Sequence, residues 1–446
     1  MTGIRSWREE PFVAATGSDS GPPSINCGGV PLQDIIRKPE TISRTKTYAL
    51  FVFLCTLAIL VGMRFPASLK GTDFPDFYCA GRMLAEGRGH QLYDAELQRS
   101  YQARYAGRVG TLYIHPPFEA VLYLGVAWLP LRPAYALWWF FNFAVLAVAL
   151  GRLAEQTLLP WDWRALLGAC FTFVPCLLCF VQGQDSLLLL LLVVLAFTAL
   201  RQGREFACGC WLGLGLFKFE LVLPMALVLV LTQESSGRRA VAKGLGLVAL
   251  FLAGISAVIS GWSVFGIYPQ FLLHLQEQPF AGIAPQAMAN FRGLSYILFR
   301  RDDAAWAIAT VVICSAAALL ATANGWRRAG VASRVNPATN DRGDFDLAFA
   351  NTVLFALLVS YHLNPHDLSL LLLPIFLLLR YSFARTALLQ ASKRWMTVGL
   401  IAILFLPPLH VWTLRAGAYA LVSLPILSLF LIAGSGTREI KVAPTA

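Results

Sequence analysis

The amino-acid sequence predicts an all-α, polytopic membrane protein with about twelve transmembrane helices (range 11–13), each needing about 20 apolar residues. Three observations carry this. Of the 446 residues, 57% are apolar and 14% are charged, against roughly 25% charged in an ordinary soluble domain. The mean hydropathy is +0.61. The apolar residues gather into long runs, and hardly any stretch alternates as a strand does. A soluble fold of this length cannot hide so much apolar surface, and a disordered chain lacks it.

The elements follow in order. Residues 1–45 hold a Gly-, Pro- and Ser-containing stretch from Thr16 to Ser24 and mixed charge, and read as a flexible cytoplasmic tail. The first apolar run begins near Thr47, too late for a cleavable signal peptide. A single membrane domain is expected over 46–435. Its candidate spans are 46–64, 134–152, 165–181, 184–201, 205–217, 219–232, 241–261, 304–324, 347–361, 366–381, 396–413 and 418–434. The apolar piece 117–129 is too short to cross and reads as re-entrant or interfacial. Residues 436–446 form a second cytoplasmic tail. Gly and Pro interrupt several spans, which membrane helices tolerate where neighbours satisfy the freed backbone.

Charge sets the orientation. The net charge of +11 is explained by cytoplasmic loops that collect Lys and Arg, rather than by nucleic-acid binding. With both termini inside, 23 of the 36 Lys and Arg face the cytoplasm and 13 lie outside. Letting 117–129 cross by itself inverts everything downstream and violates the rule. Two long loops then lie outside, about 64–116 and 262–303. The first carries two expected surface helices, near Phe77–Glu86 and Ala95–Tyr105. Most of the nine Cys sit inside apolar runs, and Cys176 and Cys179 have CxxC spacing without nearby His ligands. They read as small buried hydrophobes, and no metal or cofactor is expected.

In this orientation the polar groups at the membrane edges converge on the outer side: Asp73, Asp76, His115, Gln184, Lys218, Asn290, Arg292, His366 and Asp367. Polar groups at membrane depth are costly and point to function. Each also has a plainer reading. Asp73 sits where an N-cap of a helix starting near Phe74 or Pro75 belongs, and Asp76 reads as a solvated surface acid. Gln182 to Asp185 form a helix break with Asp185 as cap. Lys218 snorkels to the interface, paired with Glu220. His366 and Asp367 cap the helix after Pro365, and His115 beside two prolines marks an interfacial turn.

The run Gly71-Thr72-Asp73-Phe74, followed by Phe77-Tyr78, Ala80-Gly81, Gly87 and Leu92-Tyr93-Asp94, resembles the first external loop of the polyprenol-phosphate-mannose-dependent α-mannosyltransferases. These are glycosyltransferase family 87, in the C-type membrane superfamily. The similarity continues through Pro116-Pro117-Phe118, the Trp138 to Asn142 helix, Gly183-Gln184, Lys218, Asn290, Gly293 and His366-Asp367-Leu368, and covers about Thr72 to Pro374. Two positions depart: His115 stands where an aromatic is commoner, and His366 where an aromatic or another His is frequent. The resemblance implies a helical membrane fold, a lipid-phosphate sugar as donor, and an acid in the first external loop as catalytic base. By position that acid is Asp73.

The expected reaction moves a sugar, mannose by resemblance, from a polyprenyl phosphate to a lipid or glycan hydroxyl with inversion, on the outer face of a bacterial cell membrane. A hydroxyl needs a base to take its proton in the transition state. The leaving phosphate needs a fixed cation, for which Lys218, Arg292 and His366 are candidates in that order. Asp76, His115, Gln184, Asn290 and Asp367 are expected to line the substrates. No Rossmann-type glycine motif follows a strand. A transporter or flippase is the competing class, with ionisable groups expected near mid-membrane on broken helices. A scaffold without chemistry is the third.

Overall fold

The computed structural model describes residues 71–157, 163–275, 284–300, 304–335, 343–384 and 391–436. The expected tails and the first span, 46–64, lie outside the described residues. Every element among the described residues is helical, and no strand occurs. The order is α1 (Phe74–Ala85), α2 (Ala95–Tyr101), α3 (Ala120–Ala127), α4 (Leu131–Thr157), α5 (Trp163–Cys170), α6 (Val174–Gln182), α7 (Ser186–Arg201), α8 (Glu205–Leu214), α9 (Phe219–Thr232), α10 (Ser235–Ser260), α11 (Val264–Leu273), α12 (Phe291–Phe299), α13 (Ala305–Val335), α14 (Gly343–Val359), α15 (Leu372–Ala384), α16 (Ala391–Leu404), α17 (Pro407–Arg415) and α18 (Ser423–Gly436).

Four described helices are long and apolar enough to cross a membrane, and six do so when each bent pair counts as one span. Shorter apolar helices accompany them: Pro117–Ala127, Ser186–Arg201, Val264–Leu273 and Tyr419–Ser435. This is a polytopic membrane protein. Three breaks depart from the sequence-based spans, one of them within 396–413, which divides into α16 and α17 bent by 57° at Phe405 and Leu406, where Pro407 starts the second helix. The expected span 165–181 divides into α5 and α6 at Thr172 and Phe173, where Pro175 starts the second helix. The expected spans 205–217 and 219–232 form a pair bent by 63°. Lys218 sits in the 3₁₀ turn at that bend, before α9.

α8 and α10 approach closely. A Cβ on Gly209 would stand 2.1 Å from the Val241 carbonyl oxygen, and one on Gly244 2.2 Å from that of Phe206. Small residues substitute here for the hydrophobic drive that lipid cannot supply.

The main apolar core is built from α4, α6, α7, α9, α14, α15 and α18. A second, aromatic core belongs to the segment 71–116. Phe74, Phe77 and Tyr78 of α1 pack against Tyr123 of α3 and Tyr135 and Trp138 of α4, with Phe77 stacked on Tyr123 at 4.9 Å. Arg82 donates to the Ala127 carbonyl at 2.7 Å and Tyr78 to that of Leu129 at 2.8 Å, so α1 satisfies the free C-terminal end of α3. The α2 helix ends at Tyr101 and passes into a π turn at Gln102–Ala106. The first loop is therefore a packed layer on the bundle.

α7 and α14 fix two opposite ends. Ser186 opens α7 and Arg201 closes it, while Asp346 lies in the first turn of α14 and Ser360 follows its last. Arg201 and Arg380 both pair with Asp346 at one end. Asp73 with Gln184, and Lys218 with His366 and Asp367, lie at the other.

Candidate functional site

The site begins at a sharp turn. α6 ends at Gly183, whose φ of +68° is left-handed backbone that glycine adopts without strain. A Cβ there would also stand 2.5 Å from the Phe74 Cβ. The turn Gln182-Gly183-Gln184-Asp185 can thus lie directly against the start of α1. The Gln182 side chain accepts the Asp73 backbone N–H at 3.1 Å, and Gln184 Nε2 donates to Asp73 Oδ2 at 2.6 Å. Gln184 is itself buried, and its carbonyl accepts from Asn142 at 2.9 Å.

Asp73 occupies the N-cap position of α1, but its carboxylate caps nothing. The capping reading is overturned: the side chain faces Gln184 because the α6–α7 turn offers a better donor. The residue remains partly exposed.

Asp76 departs from the surface-acid reading. It is 5% exposed and points into the loop layer. Gln102 donates to it at 3.0 Å, Thr111 donates a short hydrogen bond, and Arg108 stands at 3.6 Å. Burial pushes its carboxyl up to about 7, against the pull of Thr111 and Arg108. It staples α1 to the segment after α2.

Lys218 does not snorkel. It is 2% exposed, with its Nζ 2.9 Å from Asp367 and 3.4 Å from Asp185. Asp185 stands at the N-cap position of α7 without making a cap bond. Asp367 does cap, accepting the Asn364 backbone N–H at 2.8 Å, and it also accepts from Ser186 at 2.8 Å. The protein itself supplies Lys218 with two carboxylate counter-charges, Asp367 and Asp185. The reason is tertiary: the bend before α9, the start of α7 and the 3₁₀ turn Pro365–Leu371 converge on one point.

His366 is buried beside this cluster, 3.7 Å from Asp367, and no hydrogen bond engages its Nε2. His115 Nδ1 lies 2.9 Å from Glu119 Oε2. Its ring is within electrostatic reach of Lys218, Asp185, His362 and Asp367, and burial pushes its pKa down to about 3. His362, held down to about 4 by burial, contacts Asn364 at 3.1 Å. Both shifts favour the neutral imidazole.

Asn290 caps α12 through the Gly293 N–H at 2.8 Å and donates to the Ser360 carbonyl at 2.7 Å. Its role in this arrangement is to tie α12 to the end of α14. Arg292 donates to the Tyr361 carbonyl at 3.1 Å and lies over the Tyr361 ring at 4.2 Å. The structure thus unites Asp73 with Gln184, and Lys218 with Asp367 and His366. It places His115 close to the second group and directs Asp76 elsewhere.

Sequence reasoning missed Glu119, which is fully buried. Its signal was available as the His115 and Glu119 spacing of four. Asp185 was read only as a cap, and its pairing with Lys218 had no local signature.

Chemically, the site offers one partly exposed carboxylate held in a fixed orientation, beside buried Lys218 with its two carboxylates and neighbouring imidazoles. No group of three or more His, Cys, Asp or Glu suited to a metal occurs among the described residues. A crevice of about 680 Å³ runs from this end, lined by Leu223, Leu227 and Val230 of α9, Leu319 of α13, and Phe355 and Val359 of α14, among others. Leu223 lies within two turns of Lys218, and Val359 adjoins Ser360.

The model of glycosyltransferase family 87 matches residues 113–360, more than half of the chain. The matched stretch contains His115, Gln184, Lys218, Asn290 and Arg292, while Asp73, His366 and Asp367 lie outside it. No curated protein and no solved structure matches the chain.

Proposed function

Since the chain belongs to glycosyltransferase family 87, we propose that this membrane glycosyltransferase moves mannose from a polyprenyl phosphate to a hydroxyl of a lipid or glycan acceptor. The reaction takes place at the external face of a bacterial cell membrane. The observation that carries the reading is the Asp73 carboxylate, turned away from its own helix and held by Gln184. A base must be oriented and open to its substrate, and this acid is both.

The acceptor oxygen attacks the anomeric carbon and passes its proton to Asp73. The bond from that carbon to the phosphate oxygen breaks, and the electron pair leaves with the polyprenyl phosphate. Attack opposite the leaving group inverts the configuration, and one carboxylate suffices. The apolar crevice near Lys218 suits a polyprenyl tail. Lys218, which meets two carboxylates, holds the site together, and Lys218 and Arg292 are the cations offered to the leaving phosphate.

The test is sugar transfer by the purified full chain in lipid nanodiscs. Labelled mannosyl phosphoryl polyprenol should be consumed and polyprenyl phosphate released. A nucleotide sugar serving as donor instead, or lipid translocation without transfer, would overturn the proposal.

A further inference from the structure

A second cavity, of about 310 Å³, opens where α13, α14 and α18 meet. Ala321, Asn324 and Arg328 line it from one face of α13, Asn351 from α14, and Phe430, Leu431, Gly434 and Ser435 from α18. It shares no residue with the Asp73 site. Trp326 of α13 donates to Thr352 of α14 at 2.8 Å and packs edge-on against Phe345. Leu319 shares a cavity wall with Phe355 and Val359, so with Trp326 at Thr352 and Phe345 the two helices run antiparallel and Arg328 lies toward the Asp346 end.

Two groups in this cavity are unusual. Asn351 is 2% exposed, yet neither its Nδ2 nor its Oδ1 has a hydrogen-bond partner. Arg328 is half-buried on the same wall, and no ion pair or hydrogen bond engages its guanidinium among the described residues. A buried amide left unpaired is costly, and a half-buried cation without a counter-charge adds to that cost. Both deficits are met by one ligand. A phosphate diester supplies acceptors for Arg328, Asn324 and the Asn351 Nδ2. The Asn351 Oδ1 needs a donor, which a hydroxyl on the same headgroup provides. The cavity rim is apolar: Leu320 and Leu431 are exposed beside it, at 66% and 61%.

We propose that this cavity binds the headgroup of an anionic, hydroxyl-bearing phospholipid, with the phosphate on Arg328 and the Asn351 amide and an acyl chain along Leu431. A basic pocket between membrane helices is suited to anionic headgroups, and exposed leucines at its mouth favour a lipid over free phosphate.

The experiment uses the full chain, delipidated in detergent, with native mass spectrometry and thermal unfolding as readouts. The probes are phosphatidylglycerol, phosphatidylcholine and inorganic phosphate. Phosphatidylglycerol should be retained and should raise the midpoint. Phosphatidylcholine should bind at least tenfold more weakly, and phosphate should do neither. Arg328→Gln should weaken phosphatidylglycerol binding at least tenfold, Arg328→Lys less. Asn351→Leu should raise the lipid-free midpoint, by removing the unpaired amide, while lowering lipid retention. Equal retention of the two lipids, stabilisation by phosphate alone, or an unchanged Arg328→Gln would each overturn the proposal.

Discussion

Gln184 donates a 2.6 Å hydrogen bond to the Asp73 carboxylate across 111 residues of sequence. This contact joins the start of the first loop helix to the turn between α6 and α7. It sets which oxygen of Asp73 is engaged and leaves the other for substrate.

Loss of a general base typically costs about 10²–10⁴ in rate. Asp73→Asn should therefore cut turnover at least about a hundredfold with the donor still bound. Asp76→Asn, whose side chain faces Gln102, Thr111 and Arg108, should cost much less. The measurement is mannosyl transfer in nanodiscs beside donor binding by the same samples.

Gln184→Met keeps the volume and removes the donor. A hydrogen bond to a charged group contributes about 1.5–3 kcal/mol, so kcat should fall by roughly ten- to a hundredfold. The donor dissociation constant should stay unchanged. A change confined to donor affinity would show that Gln184 touches substrate rather than orienting Asp73.

Lys218→Met leaves Asp185 and Asp367 buried and uncompensated. Breaking a buried ion pair on one side costs about 3–5 kcal/mol, so thermal stability should drop sharply. The triple variant that adds Asp185→Asn and Asp367→Asn should recover most of it. If Lys218→Met is as stable as the parent chain but has lost donor affinity, Lys218 is a phosphate ligand after all.

Asp76 links the loop layer to pH. Its folded pKa, about 7, stands above the ordinary 3.8. Between these values the folded chain holds a proton that the unfolded chain has released. The contribution is thus fully present below about 3.8 and lost as pH rises through about 7. His115 and His362, with folded pKa values of about 3 and about 4, act in the opposite sense: their contribution is present above the ordinary 6.5 and lost on acidification. The difference between the parent chain and Asp76→Asn isolates the first effect. Relative to the parent, the Asn variant should gain stability as pH rises from 4 to 8, read from unfolding midpoints across that range.

The orientation is tested by labelling. Cysteines are introduced singly as Ser100→Cys in the loop layer and Arg327→Cys near the C-terminal end of α13, in a chain whose nine native cysteines are replaced. An impermeant maleimide should label position 100 from outside the cell and leave position 327 untouched. Labelling at 327 alone would invert the topology.

The sequence by itself determined the class of this molecule. Apolar composition and run length require a membrane bundle, because no soluble packing hides so much apolar surface. Which polar residues interrupt the runs was equally legible, and the loop motif around Asp73 pointed to the family. Tertiary structure alone decided what those residues do. Asp73 and Asp76 are three residues apart and chemically alike, yet one faces Gln184 and the other is sealed under Thr111 and Arg108. Lys218 looked like a cation awaiting an anion because Asp185 and Asp367 lie 33 residues before it and 149 after. Burial and pairing are sums over distant neighbours, and no local pattern encodes them. The bend before α9, the left-handed turn at Gly183 and the capped turn at Asn364 bring those neighbours together.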